Sequence, residues 1–145
     1  MARVPFPQAR ILLVDDFEPF RRVVSAIVQA RPEWQIVGEA CDGSEAVQMT
    51  RHLLPDIVVL DIGMPVLNGI EAAKRIRQDS PTSKIIFLTQ NNDEDIRLEA
   101  LATGAEAYLL KANAGSEFLP SIEAALKDRY RADADLPTEQ EKHRS

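Results

Sequence analysis

The stretch Ile57-Val58-Val59-Leu60-Asp61 decides the fold. An apolar, mostly β-branched run leads straight into a carboxylate. Pro55 and Asp56 punctuate its front, and Gly63, Met64 and Pro65 follow it. An unbroken apolar run between turn signals reads as a strand buried on both faces. In an open parallel sheet, ligands sit just past the carboxyl ends of the strands, so Asp61 is expected at that edge. Taken alone, Asp61 reads as a turn aspartate bonding its own backbone. The other carboxylates change that reading.

Working outward, Ile11-Leu12-Leu13-Val14 is a second buried run, and it ends in Asp15-Asp16. Helical spacing then places Phe20, Val23, Val24, Ile27 and Val28 on one face, with Pro19 in the first turn, where its missing N–H costs nothing. The helix is expected to stop near Arg31-Pro32, with Trp34 capping the core from the loop. Residues 35–40 form a weaker strand, and Gly38 and Glu39 mark it as an edge. Asp42-Gly43 turns the chain, and Ser44 is the expected N-cap of a helix with Ala46, Met49 and Leu53 inward.

Beyond Asp61, Asn68 is placed to cap a helix carrying Ile70, Ala73 and Ile76. Ile85-Ile86-Phe87-Leu88 is a further buried run, ending in Thr89. Asn91, Asn92 and Asp93 offer caps for a helix with Ile96 and Ala100. That helix is the least amphipathic of the set and is expected to be mobile or to face a partner. Gly104 is expected to end it as a C′ glycine. Residues 106–110 read as the fifth strand, followed directly by Lys111. Ser116 is expected to cap a last helix with Phe118, Ile122, Ala125 and Leu126 inward. After Arg131 the composition turns polar. The expected organisation is therefore a domain over 9–131 and a tail over 132–145, a linker or a loose helical extension.

Strand and helix alternate five times, which gives a parallel sheet with helices on both faces. The expected fold is a doubly wound (βα)5 α/β domain, five-stranded and flavodoxin-like, in the order 2-1-3-4-5.

The composition agrees. The chain has 145 residues, 45% of them hydrophobic and 28% charged, which fits one soluble domain with a real core. A formal net charge of −6 argues against broad nucleic-acid binding by this surface. Cys41 stands alone, so no internal disulfide forms; it reads as a small residue at the core edge. Residues 1–8 lack a signal-peptide core, and no window approaches a membrane span. A cytoplasmic location is expected. His52 reads as an exposed helix residue and His143 as part of the tail. Glu71, Lys74, Arg75 and Arg77 read as a solvated helix face.

In the order 2-1-3-4-5, four strand ends bring polar groups to one edge: Asp15-Asp16, Asp61, Thr89 and Lys111. Turn chemistry asks for none of these groups there. Three carboxylates in close company repel, each close pair by roughly 3–4 kcal/mol at an effective dielectric near 20. Such a cluster calls for a cation. Hard oxygen donors suit Mg²⁺, which keeps several waters and takes one or two carboxylates with phosphate oxygens. A carboxylate beside Mg²⁺, with a lysine opposite, is equipped to accept a phosphoryl group as nucleophile.

With these residues in view, the chain resembles a response-regulator receiver domain of two-component signalling, with a CheY-like fold. The matching segments are Leu-Leu-Val-Asp-Asp-Phe (12–17), Val-Leu-Asp-Ile-Gly-Met-Pro (59–65) with Asn68-Gly69, Phe-Leu-Thr (87–89) and Gly-Ala-Glu-Ala-Tyr-Leu-Leu-Lys (104–111). The resemblance covers residues 9–131. It implies Asp61 as phosphoacceptor, and Asp16 and Asp61 as direct Mg²⁺ ligands. Asp15 would hold a metal-bound water, and the Gly63 carbonyl would be a third protein ligand. Thr89 and Lys111 would contact the phosphoryl group. Tyr108 would be the aromatic switch that follows Thr89, with a hydroxyl in water at rest. The implied partner is a histidine kinase or phosphotransfer protein, with homodimer formation on phosphorylation. The fourth helix, fifth strand and fifth helix would form the responsive face.

Two departures stand out. Gln90 follows Thr89 where the family usually has a small residue. Ala112 follows Lys111 where the family often has proline; Tyr-Leu-Leu-Lys without that proline resembles receivers joined to helix-turn-helix output domains. Contact with DNA would then come only through an output domain outside this chain. Gly63 and Asn91 occupy positions that tune dephosphorylation, and neither supplies a base. The alternatives are a stand-alone or degenerate receiver that binds partners, and an Asp-nucleophile phosphatase. The latter is disfavoured because haloacid-dehalogenase-type enzymes carry Asp-x-Asp after the first strand.

Overall fold

The computed structural model describes residues 8–134. Its elements in chain order are β1 (Ala9–Val14), α1 (Glu18–Gln29), β2 (Trp34–Ala40), α2 (Gly43–Leu53), β3 (Ile57–Leu60), α3 (Gly69–Asp79), β4 (Lys84–Thr89), α4 (Glu94–Leu101), β5 (Ala107–Leu110) and α5 (Ala114–Ala134). One 3-10 turn, Lys111–Asn113, joins β5 to α5. The strands form a single sheet in the order β2-β1-β3-β4-β5, and every pair is parallel. This is the doubly wound arrangement expected from the alternation of elements.

Period-2 alternation divides the core into two layers. Ile11, Leu13, Ile57, Val59, Ile86 and Leu88 face α1 and α5, where Val24, Val28, Phe118 and Ile122 close over them. Leu12, Val14, Val58, Leu60, Ile85 and Phe87 face the other way, under Ala46, Ile70, Ala73, Ile76 and Ala100. The central strands are buried on both faces, which is why they read as unbroken apolar runs. No helix among the described residues is long and apolar enough to cross a membrane.

Several local expectations are corrected. Trp34 does not cap the core from a loop; it opens β2, buried, with the Arg31 guanidinium 5.1 Å from its ring centroid. Val23 is 49% exposed rather than inward, because α1 turns only a narrow stripe to the sheet. The N-cap of α2 is Asp42, whose carboxylate accepts the Glu45 N–H at 2.8 Å; Ser44 already lies within the helix. A carboxylate also suits the positive end of the helix dipole. Cys41 is exposed, not at the core edge.

Asn68 caps α3 as expected, by accepting the Glu71 N–H. Asp93 caps α4, taking the amides of Asp95 and Ile96. Gly104 is not the C′ residue of α4. The helix ends at Leu101 with Ala102 as its cap, and Gly104 supplies the left-handed turn, φ 95°, further on. Ser116 lies inside α5, which starts two residues earlier because the 3-10 turn after Lys111 runs directly into it. α5 continues through Arg131 to Ala134, so the backbone stays helical where the composition changes. The polar tail beyond, with His143, lies outside the described residues.

Candidate functional site

Register brings the acidic residues together. Val14 pairs with Leu60, so Asp15 and Asp61 leave neighbouring strands side by side. The backbone holds them there: the Asp61 N–H donates to the Val14 carbonyl at 3.0 Å, and the Asp15 N–H to the Ala40 carbonyl at 3.1 Å. On the other side Leu60 pairs with Phe87, and Thr89 pairs with Leu110, the residue before Lys111. All four strand tips thus end at one edge.

Asp15 and Asp61 are buried and Asp16 is exposed, and each offers a carboxylate oxygen within 4.8 Å of the other two. The Lys111 ammonium bridges the buried pair, 2.6 Å from Asp15 Oδ2 and 3.1 Å from Asp61 Oδ2. Their other oxygens take backbone donors: Phe17 N–H to Asp15 Oδ1 at 2.9 Å, and Ile62 N–H to Asp61 Oδ1 at 2.7 Å. Burial raises the pKa of Asp15, and the Asp61 charge adds to this, against hydrogen bonds from Lys111 and Phe17. Burial alone would lower Lys111, but its hydrogen bonds to Asp15 and Asp61 prevail, and its pKa is raised.

One ammonium against three carboxylates leaves net negative charge at this edge. Oxygen donors with an exposed approach through Asp16 fit a small hard divalent cation such as Mg²⁺. Gly63, expected to offer its carbonyl, lies exposed just past Asp61, and a Cβ there would meet nothing within 4 Å. Gly69 and Gly43 are different. A Cβ on Gly69 would fall 1.9 Å from the Asp61 carbonyl oxygen, and one on Gly43 2.0 Å from that of Leu67. These glycines let α2 and α3 clamp the loop that carries Asp61.

Thr89 is buried at the end of β4, and its Oγ1 accepts the Asn91 N–H at 3.2 Å. Tyr108 is half-buried, its ring 6.3 Å from that of Phe87. Its hydroxyl is not left to water, as expected, but donates to the Asn91 carbonyl. Asn91 therefore ties Thr89 to Tyr108 through its own peptide groups. Gln90, between them, is exposed, and Ala112 lies in the 3-10 turn.

The sequence pattern of the response regulator receiver domain matches residues 11–123. This chain belongs to that family. Among related proteins, the transcriptional regulatory protein LiaR of Bacillus subtilis (strain 168) is 40% identical over 118 residues, 81% of this chain and 56% of LiaR. A protein-glutamate methylesterase/protein-glutamine glutaminase of Photobacterium profundum is 41% identical over 104 residues, 70% of this chain but 26% of its own length. The crystal structure of a LuxR-family two-component response regulator from Aurantimonas sp. SI85-9A1 superposes with a TM-score of 0.79 at 36% identity, covering 83% of this chain and 86% of that one. The chain spans about half the length of LiaR, and the receiver domain is the part they share.

Within this receiver domain the sequence reading missed three contributors. Phe20 reads as an ordinary inward helix residue, yet its ring centroid lies 4.7 Å from the Lys111 ammonium. Arg21 donates to the Asp15 carbonyl at 2.6 Å and pairs with Glu39, bracing the acidic turn. Asn91 reads as a possible cap and as a position that tunes dephosphorylation, not as the link whose peptide groups join Thr89 to Tyr108. For Arg21 the available signal was its place in the first turn of α1, just past Asp15-Asp16; the contact of Phe20 with Lys111 had none.

Proposed function

We propose that this chain is the phosphoacceptor module of a cytoplasmic response regulator, and that Asp61 takes a phosphoryl group from a histidine kinase or phosphotransfer protein. The observation that carries the reading is the shared grip of one lysine on two buried carboxylates, with a third carboxylate beside them at the solvent edge. An Asp61 oxygen attacks phosphorus, the new O–P bond forms as the donor's P–N bond breaks, and the imidazole leaves with the electron pair. Lys111, already bonded to Asp61 Oδ2, is placed to meet charge on the phosphoryl oxygens. The Thr89 hydroxyl uses an oxygen lone pair for the Asn91 N–H and keeps its proton to donate. Asp15, Asp16, Asp61 and the Gly63 carbonyl would hold Mg²⁺, which when bound supplies positive charge to offset the crowded oxygens.

Movement of Thr89 toward a phosphoryl oxygen would load Asn91 and so reach Tyr108, the proposed switch residue, at the α4-β5-α5 face. We further propose that the output is control of transcription, through a DNA-binding domain beyond this receiver and with phosphorylation-driven dimerisation. The likeness to LiaR supports that output.

The test is incubation with acetyl phosphate and Mg²⁺ followed by intact-mass measurement. One phosphoryl group per chain is expected on the wild type and none on Asp61→Asn. Equal labelling of the variant, or steady release of phosphate with no labelled protein, would overturn the reading.

A further inference from the structure

The Lys111 ammonium has a third neighbour, and it carries no charge. The Phe20 ring stands against the nitrogen, 4.7 Å from centroid to Nζ, while Asp15 and Asp61 grip it by hydrogen bonds. The lysine side chain is only 9% exposed, so the ring occupies space where water would otherwise solvate the ammonium. The ring is itself held. Phe20 lies in the first turn of α1, packed against the core layer that contains Val24, and its N–H bonds the Phe17 carbonyl at 3.1 Å.

This arrangement answers a mechanical problem. Lysine is a point charge on a flexible four-carbon stem and does not fix its own direction. Its contact with Asp15 is the shorter of the two, so a loosely held ammonium would pair with Asp15 and water and leave Asp61. An aromatic face attracts the cation from a third side and restricts it to the gap between the carboxylates. A leucine in place of Phe20 would fill similar space in the core but offer no such face.

We propose that Phe20 is a positioning residue, whose ring face holds the Lys111 ammonium at Asp61 in readiness for the phosphoryl group; this rests on the phosphoacceptor reading above.

The test compares wild type, Phe20→Leu and Phe20→Trp, with circular dichroism to verify folding and Phe20→Met in reserve if the leucine variant does not fold. Two quantities are measured: the rate of phosphorylation by acetyl phosphate with Mg²⁺, and the NMR shifts of the Lys111 ε-protons, which an aromatic ring moves upfield. The expected result is an upfield shift and full rate in wild type. Phe20→Leu loses the shift and slows roughly three- to fivefold, and Phe20→Trp restores both. A leucine variant at wild-type rate, or a tryptophan variant as slow as leucine, overturns the role of the ring while leaving Asp61 as acceptor. A wild type that shows the shift but gains no phosphoryl group overturns the phosphoacceptor reading instead, and the assigned role falls with it.

Discussion

The carbonyl oxygen of Asp61 lies 1.9 Å from the point where a Cβ on Gly69 would stand. The first residue of α3 thus rests directly on the backbone of the central aspartate, and its N–H bonds the Ile62 carbonyl at 2.8 Å. Backbone cannot yield as a flexible side chain does. Gly69→Ala should destabilise the domain by about 1–3 kcal/mol through overpacking and weaken divalent-ion binding, because Asp61 must move. Gly63→Ala, where a Cβ meets nothing, should leave both near wild type. Urea melts and Mg²⁺ titrations of the two variants check the contrast; equal behaviour would show that the clamp does not matter.

Val66 sits in the same loop with φ 68° and 82% of its surface exposed. A β-branched residue in the left-handed region is strained, and an exposed side chain gains little packing in return. Val66→Gly should stabilise the domain by about 1 kcal/mol, relief of strain exceeding the added entropy of the unfolded chain. A higher urea midpoint with an unchanged slope is the expected outcome. A lower midpoint would mean that Val66 makes a contact outweighing its strain.

Asp15 illustrates a conflict between stability and function. Burial lifts its carboxyl above the ordinary 3.8, so the folded protein binds that proton more tightly than the unfolded chain. The resulting stabilisation is complete below pH 3.8 and fades as pH rises through the native value. At pH 7 the charged carboxylate is a burden. Asp15→Asn should therefore melt a few degrees higher without metal, yet gain less from added Mg²⁺, because a donor of the acidic set is gone. Thermal melts with and without Mg²⁺ decide it; a lower melting temperature in the variant would contradict the assignment.

Lys111 works in the opposite pH range. Its two carboxylate partners raise it above the ordinary 10.5 despite burial, so its contribution is fully present below pH 10.5 and is lost as pH climbs through the higher native value. Lys111→Met removes that contribution and leaves Asp15 and Asp61 without their shared cation. The variant should be less stable at neutral pH and show a shallower decline above pH 10.5. Urea melts across that range test it, and parallel curves for the two proteins would refute the coupling.

Apolar patterning made the sheet legible. Strands such as Ile57–Leu60 are buried on both faces and cannot be polar, and their order followed from alternation with helices. The convergence of Asp15, Asp61, Thr89 and Lys111 on one edge followed from that order, since each directly ends or follows a strand. Caps were less legible, because Asp42 and Ser44 both suit an N-cap and only the path of the backbone chooses between them. Trp34 was misplaced because its flanks, Pro32 and Glu33, read as loop while tertiary packing buries the ring. Contacts across helices, Phe20 to Lys111 above all, had no local signature. A phenylalanine at helical spacing looks the same whether it meets leucines or an ammonium.

Tyr108 offers the last test, because its hydroxyl reports on the loop that Thr89 also holds. The hydroxyl donates to the Asn91 carbonyl while the Asn91 N–H donates to Thr89. Burial raises its pKa above 10.0, the charges of Asp93 and Asp61 add to this, and Arg97 opposes it. Absorbance titration of the tyrosines should therefore show one late transition that disappears in Tyr108→Phe. A phosphoryl group on Asp61 adds negative charge and should push that transition later still. Loss of the hydrogen bond should cost about 0.5–1.5 kcal/mol locally and speed amide exchange at Asn91 and Asp93, without preventing labelling of Asp61. If exchange in that loop is unchanged in Tyr108→Phe, the link from Thr89 through Asn91 to Tyr108 does not carry the switch.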